Sequence, residues 1–170
     1  MAAKQTFREK VDKPAEPQRV QIPDTMHKRF GSGSMIIATP KLIEYLIQDI
    51  PERQIILVSQ LMDHLAQAFQ TNTTCPMTTG IFLNLVAKAT EEDRANGHTN
   101  LVPYWRVLKT KGELNPKYPG GMENQADKLR EEGHEIDDSR KVWRVVDYEE
   151  VIFPTLKTIP EDYLKQVIDK

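Results

Sequence analysis

Between Ser59 and Arg94 the chain carries two runs of apolar residues at helical spacing, separated by the polar stretch Gln70–Cys75. In the first run Leu61, Met62, Leu65 and Phe69 fall on one side, with Ser59 as the expected cap. In the second, Pro76 takes the opening position, and Ile81, Phe82, Leu85 and Val86 are expected to point inward. Helices joined by so short a break have to pack on each other. The order helix, turn, helix puts the second in the place of a DNA-reading helix, although any pair of packed helices in a small α domain has the same spacing. From Ser59 to Lys88 the only formal charges are Asp63 and Lys88. A reading helix so poor in cations must meet phosphate through backbone amides and hydroxyls, here Thr78 and Thr79.

The flanks read differently. Thr39-Pro40 signals a helix start, and Leu42, Ile43, Leu46 and Ile47 continue at helical spacing to Ile50, where Pro51 closes the segment. Ile55–Val58 is a short apolar run. Residues 1–35 contain three prolines, alternate charges without apolar period and end on Gly31-Ser32-Gly33-Ser34, so a flexible tail is expected there. That tail is basic, with seven Lys/Arg against four Asp/Glu, and would add nonspecific affinity for nucleic acid. Residues 123–150 are acidic, with five against ten. Glu123–Glu132 should form a short charged helix stopped by Gly133; Val142, Trp143 and Val145 suggest a strand, and residues 151–170 a terminal helix or appendage.

Composition at 39% hydrophobic and 28% charged is that of an ordinary globular chain. One cysteine, Cys75, excludes an internal disulfide and a cysteine-based zinc site, and the scattered histidines lack metal-ligand spacing. No metal and no cofactor are therefore expected. No apolar run is long enough to cross a membrane and the first thirty residues lack a signal-peptide core, which makes a cytoplasmic monomer the expectation.

The remaining segment is the most specific. Pro103-Tyr104-Trp105-Arg106-Val107 is followed by Gly112 and by Tyr118-Pro119-Gly120-Gly121, with Asn96 eight residues before Tyr104 and a Leu-x-x-Glu-Gly pattern starting at Leu129. This ordered set resembles the active-site half of the O6-alkylguanine-DNA alkyltransferase family over roughly residues 40–136. The family has Pro-Cys-His-Arg-Val where this chain has Tyr104 and Trp105, and its cysteine takes the alkyl group from the damaged base. A phenol with a pKa near 10 stays protonated at neutral pH and lacks sulfur's nucleophilicity. The resemblance is thus closest to the alkyltransferase-like subgroup, which lacks the cysteine and binds alkylated DNA without repairing it. The family's N-terminal ribonuclease-H-like domain has no counterpart in these residues.

The resemblance implies a mainly α, winged-helix-like helix-turn-helix domain with a small β element, spanning 36–136 between the tail and a C-terminal appendage at 137–170. It implies a non-catalytic sensor of O6-alkylguanine in double-stranded DNA that recruits a repair protein. Tyr104, Trp105 and Tyr118 would line the base pocket, Thr78 and Thr79 would face the duplex, and Lys117 would reach phosphate. Gly120 and Gly121 would shape the covering loop, while Asn96, Pro103 and Arg106 would be framework. Two departures bear on this. Val58 stands where the family has a tyrosine that presses on the target phosphate, and the intercalating arginine falls near Thr79 or, with another gap placement, Lys88. Tyr104 and Trp105 either floor an aromatic pocket or fill it. The alternative is a protein-interaction or scaffold module that reuses the fold without DNA. Cys75, preceding a helix-opening proline, is either a reactive thiol or a small buried or capping residue.

Overall fold

The computed structural model of the protein describes residues 3–168 and is built mainly of helices with three small sheets. In chain order the helices are α1 (Phe7–Asp12), α2 (His27–Phe30), α3 (Pro40–Ile47), α4 (Val58–Ala68), α5 (Pro76–Ala95), α6 (Gly121–Glu131) and α7 (Glu161–Ile168). The strands are β1 (Gln18–Gln21), β2 (Ser34–Ile37), β3 (Ile56–Leu57), β4 (Thr73–Thr74), β5 (Val107–Leu108), β6 (Ile136–Asp137) and β7 (Arg144–Val145).

Local chemistry fixes most helix starts. Thr39 caps α3, its hydroxyl accepting the Leu42 N–H at 3.1 Å with Pro40 in the first turn, as the dipeptide predicts. Pro76 opens α5 after Cys75. Ser59 does not cap α4. That helix starts two residues earlier, with Leu57 at the cap position, where the Gln60 side chain accepts the Leu57 N–H at 2.7 Å.

The main core joins α3, α4 and α5 through Leu42, Ile43, Leu46, Ile47, Leu61, Leu65, Phe69, Leu83 and Val86. It also takes in Val11 from α1 and Leu156, Ile159 and Val167 from the C-terminal segment. The expected divisions at 35 and 137 therefore do not hold: the described N-terminal residues are not a free tail, and the C-terminal ones are no appendage. Charge explains the first correction. The Glu92 carboxylate accepts the Phe7 and Arg8 backbone N–H groups at 2.9 and 2.8 Å. The Arg8 guanidinium spans Glu44 and Asp93, both at 2.8 Å. Three carboxylates, Glu44, Glu92 and Asp93, thus form the docking surface of α1.

The Gly31–Ser34 stretch is likewise no linker. It turns β1 back on β2, and the Ser34 N–H donates to Asn72 Oδ1 at 3.0 Å. β2 in turn pairs in parallel with β4, inside the break between α4 and α5. That break is thus the edge of a three-stranded sheet, ordered β1-β2-β4. A second parallel pair, β3 with β5, brings Ile56 beside Val107 and seats the Pro103–Val107 segment on the α4–α5 core. The antiparallel hairpin β6–β7 lies over a second cluster of Leu108, Leu114, Ala126, Leu129, Ile136 and Val145. Within the stretch Val142–Val145, only Arg144–Val145 pairs as strand, and Val142 is exposed.

Candidate functional site

Tyr104 opens a 3₁₀ turn, Tyr104–Arg106, whose direction is set by the following β5 strand. Its ring is fully buried and packs edge-on against both neighbours, with centroids 5.4 Å from Trp105 and 5.2 Å from Tyr118. The phenol donates to Glu91 Oε2 at 3.2 Å and receives a long contact from Asn124 Nδ2 at 3.5 Å. Burial and the Glu91 charge push its pKa far above the ordinary phenol value, and burial does the same to Tyr118. Tyr104 stays a neutral hydrogen-bond donor at physiological pH. Tyr104 and Tyr118 are thus buried ring against ring, with Trp105 half-buried beside them.

Trp105 is half-buried, and its Nε1–H donates to Glu132 at 2.6 Å. Arg106 shares that carboxylate through Nε at 2.7 Å, while its Nη1 donates to the Ile50 carbonyl at 2.6 Å. Arg106 therefore ties the exit of α3 to the end of α6. Desolvation would raise the Glu132 carboxyl, but hydrogen bonds from Arg106, Trp105 and the Arg53 N–H hold it below its ordinary value. Buried Gln125 links motif and helix: its Nε2 donates to the Trp105 carbonyl at 3.1 Å, and its Oε1 accepts the Asn115 N–H at 2.8 Å.

Gly120 has φ +78, and a Cβ there would meet the Asn124 Cβ at 2.5 Å, so glycine is needed on both counts. Gly121 also has positive φ and starts α6. Pro103 is buried and precedes the 3₁₀ turn. Asn96 ends α5, its N–H donating to the Glu92 carbonyl at 3.0 Å. Lys117 is exposed and makes no ion pair among the described residues.

On α5, two expectations are corrected. Thr79 is buried and its hydroxyl donates back to the Cys75 carbonyl at 2.7 Å, so it does not face outward; Thr78 is half-buried beside it. Ile81 was expected inward and is 56% exposed, as Met77 is at 73%. The inward face is instead Thr79, Leu83, Val86, Ala87 and Thr90. The open stripe of this helix therefore begins with Met77, Gly80 and Ile81, neutral and apolar.

Cys75 is buried with Ile22 and Met35, in a cluster separate from Tyr104. Clefts of about 390 and 340 Å³ occur at Glu16–Val20 with Gln166 and Val167, and at Asp137 with Arg144–Glu150; neither is lined by Tyr104, Trp105 or Tyr118. Among the described residues no group of His, Cys, Asp or Glu gathers to hold a metal, and no helix is long and apolar enough to cross a membrane. Glu91, Gln125 and Glu132 are the site residues that sequence reasoning missed. Only Glu132 had left a signal there, as the glutamate of the Leu129–Gly133 pattern.

Fold and site together define a mainly α protein in which the α4–α5 pair packs on a buried Tyr104, with Tyr104 hydrogen-bonded to Glu91 and Trp105 to Glu132. No family model, curated protein or solved structure matches the chain.

Proposed function

We propose that this protein is a non-catalytic, alkyltransferase-like DNA-binding protein of winged-helix character, and that it senses O6-alkylguanine in duplex DNA for repair. One observation carries the reading. The Pro103–Gly121 segment, with a tyrosine in the nucleophile position, sits on the α4–α5 pair through parallel β3–β5 pairing, while the outer stripe of α5 stays open. A neutral, buried phenol hydrogen-bonded to a carboxylate cannot accept an alkyl group at neutral pH, so what this site offers is binding. Small and apolar side chains on a reading helix suit close approach to a groove, where wedges of Met or Ile are a recurring device.

The plug sets a condition on lesion sensing. A flipped base enters only if Tyr104 swings out, giving up its contacts to Trp105, Tyr118 and Glu91, on top of a few kcal/mol of unstacking. The same plug favours a second reading, an interaction module that uses the exposed Met77–Ile81 stripe to hold a protein.

Titrating labelled duplexes with and without O6-methylguanine at low salt separates these. Tighter binding to the modified duplex is the expected result. Equal binding to both removes the lesion preference and keeps the DNA reading; absence of binding leaves the interaction module.

A further inference from the structure

β1 lies at the outer edge of the three-stranded sheet, and its register with β2 fixes which of its backbone groups are already paired. The Ile22 N–H donates to the Gly33 carbonyl at 2.8 Å, so Gln18, Val20 and Ile22 turn their N–H and C=O groups towards β2. On β2 the alternate residues face the other way: the Ser34 and Ile36 carbonyls accept the Asn72 and Cys75 N–H groups at 3.0 and 2.9 Å. Arg19 and Gln21 therefore aim their backbone groups away from the sheet, and among the described residues no backbone group pairs with them. An open edge alone is simply hydrated. Here it has a second wall. The cleft of about 390 Å³ runs between Gln18, Arg19 and Val20 on one side and, on the other, Gln166 and Val167 near the end of α7. Gln18 and Val20 lie on one face of the sheet and Arg19 on the other, so what they present jointly to the cleft is the backbone edge. In the far wall, Gln166 Oε1 is buried and has no hydrogen-bond partner among the described residues.

We propose that this cleft binds a partner protein through a short extended segment, which adds to β1 as a fourth strand of the sheet, alongside α7. Arg19 offers a backbone donor and an acceptor and Gln21 a further donor, spaced as an extended guest backbone requires. A turn of the Gln166 amide presents its oxygen to a guest N–H. The guest residue opposite Val20 shares the face on which Val20 packs against the Ile22 and Met35 cluster, so it is apolar. A cleft of this volume takes a few residues of chain and no folded domain, whereas another copy of the protein would bring a whole sheet. The site is independent of whether the protein binds DNA.

Random hexapeptides displayed on phage are selected against the full chain, and enriched sequences are synthesised with a fluorescent label for anisotropy. They should carry an apolar residue, and their binding should slow amide hydrogen exchange at Arg19 and Gln21, which exchange freely in the unbound protein. Arg19→Pro removes an edge N–H, a change that outer strands tolerate, and should weaken binding roughly tenfold. Arg19→Ala loses the same side-chain bond to the Phe69 carbonyl but keeps the N–H, and should bind like the unmodified protein. Should Arg19→Pro not fold, Gln21→Pro deletes the next edge N–H at an exposed residue and carries the same expectation. Undiminished binding by the proline variant, equal loss in the alanine and proline variants, exchange slowed only elsewhere, or no enriched peptide overturns the proposal.

Discussion

Trp105 and Arg106, adjacent in sequence, converge on one carboxylate: Glu132 accepts the indole N–H at 2.6 Å and the guanidinium Nε at 2.7 Å. The pair joins the motif segment to the end of α6 with little water between, since Glu132 is 8% exposed. Glu132→Gln keeps the shape and removes the charge, leaving the Arg106 guanidinium buried without its partner. Unfolding in urea should show a loss of roughly 3–5 kcal/mol. A loss indistinguishable from that of an exposed Glu→Gln change elsewhere would mean the carboxylate is replaceable. Because the folded Glu132 carboxyl lies below its ordinary value of 4.5, its contribution is full above that value and is lost as pH falls through the lowered one.

His134 gives a separate acid response. Among the described residues its Nε2 is buried without a partner, and burial with help from the Arg106 charge lowers its pKa from 6.5 against the opposing pull of Glu132. Above the ordinary value it is neutral in both folded and unfolded chains and contributes nothing. As pH falls through 6.5 the unfolded chain takes the proton first, so stability declines towards the lowered folded value. Thermal midpoints from about pH 7.5 to about pH 5 should fall in the unmodified protein and fall less in His134→Leu. Parallel curves for the two would remove His134 as the cause.

Tyr104 separates hydrogen bonding from packing. Tyr104→Phe gives up the bond to Glu91 and the long contact from Asn124 while keeping the ring, and should cost about 0.5–1.5 kcal/mol. Tyr104→Ala empties a fully buried ring site and should cost about 3–5 kcal/mol. If the two variants lose the same amount, the ring is not the plug its contacts describe.

Arg8 tests the docking of the N-terminal helix. Arg8→Ala removes the partner of Glu44 and Asp93, and charge-assisted bonds of this kind carry about 1.5–3 kcal/mol each. In a chain of this size each kcal/mol moves the melting midpoint by about 2–4 °C. A midpoint unchanged in Arg8→Ala would restore the picture of a free tail.

Cys75, 7% exposed at the start of α5, should react with a thiol reagent only as fast as the surrounding cluster opens. Intact mass after incubation with methylated DNA should stay that of the unmodified chain, and an added methyl would reassign Cys75 as an acceptor.

What could be read from the sequence was local. Thr39-Pro40, Pro76 and Gly133 mark helix ends because each acts within one turn, and the structure places those ends within a residue or so. Ile81 is apolar yet lies off the inward stripe: Leu83, Val86 and Thr90 step three and four residues at a time, and the stripe includes a threonine that apolar identity alone does not mark. Residues 1–35 misled because the partners of Arg8 lie 36 and 85 positions away, beyond any window of periodicity. The aromatic replacement at Tyr104 was legible, but whether it plugs the site depends on Glu91, a helix residue whose direction no spacing rule supplies.

The bond between the Phe7 N–H and the Glu92 carboxylate closes a span of 85 positions, and it sets an order of events at the ribosome. A helix of six residues does not hold itself together in water, so α1 emerges long before the side chains that cap and grip it exist. Until α5 has been synthesised and has settled on α3, the opening segment has nowhere to land. Translation thus delivers the acidic receptor after its guest, and the last turn of α5 becomes the checkpoint at which the N-terminus joins the folded body.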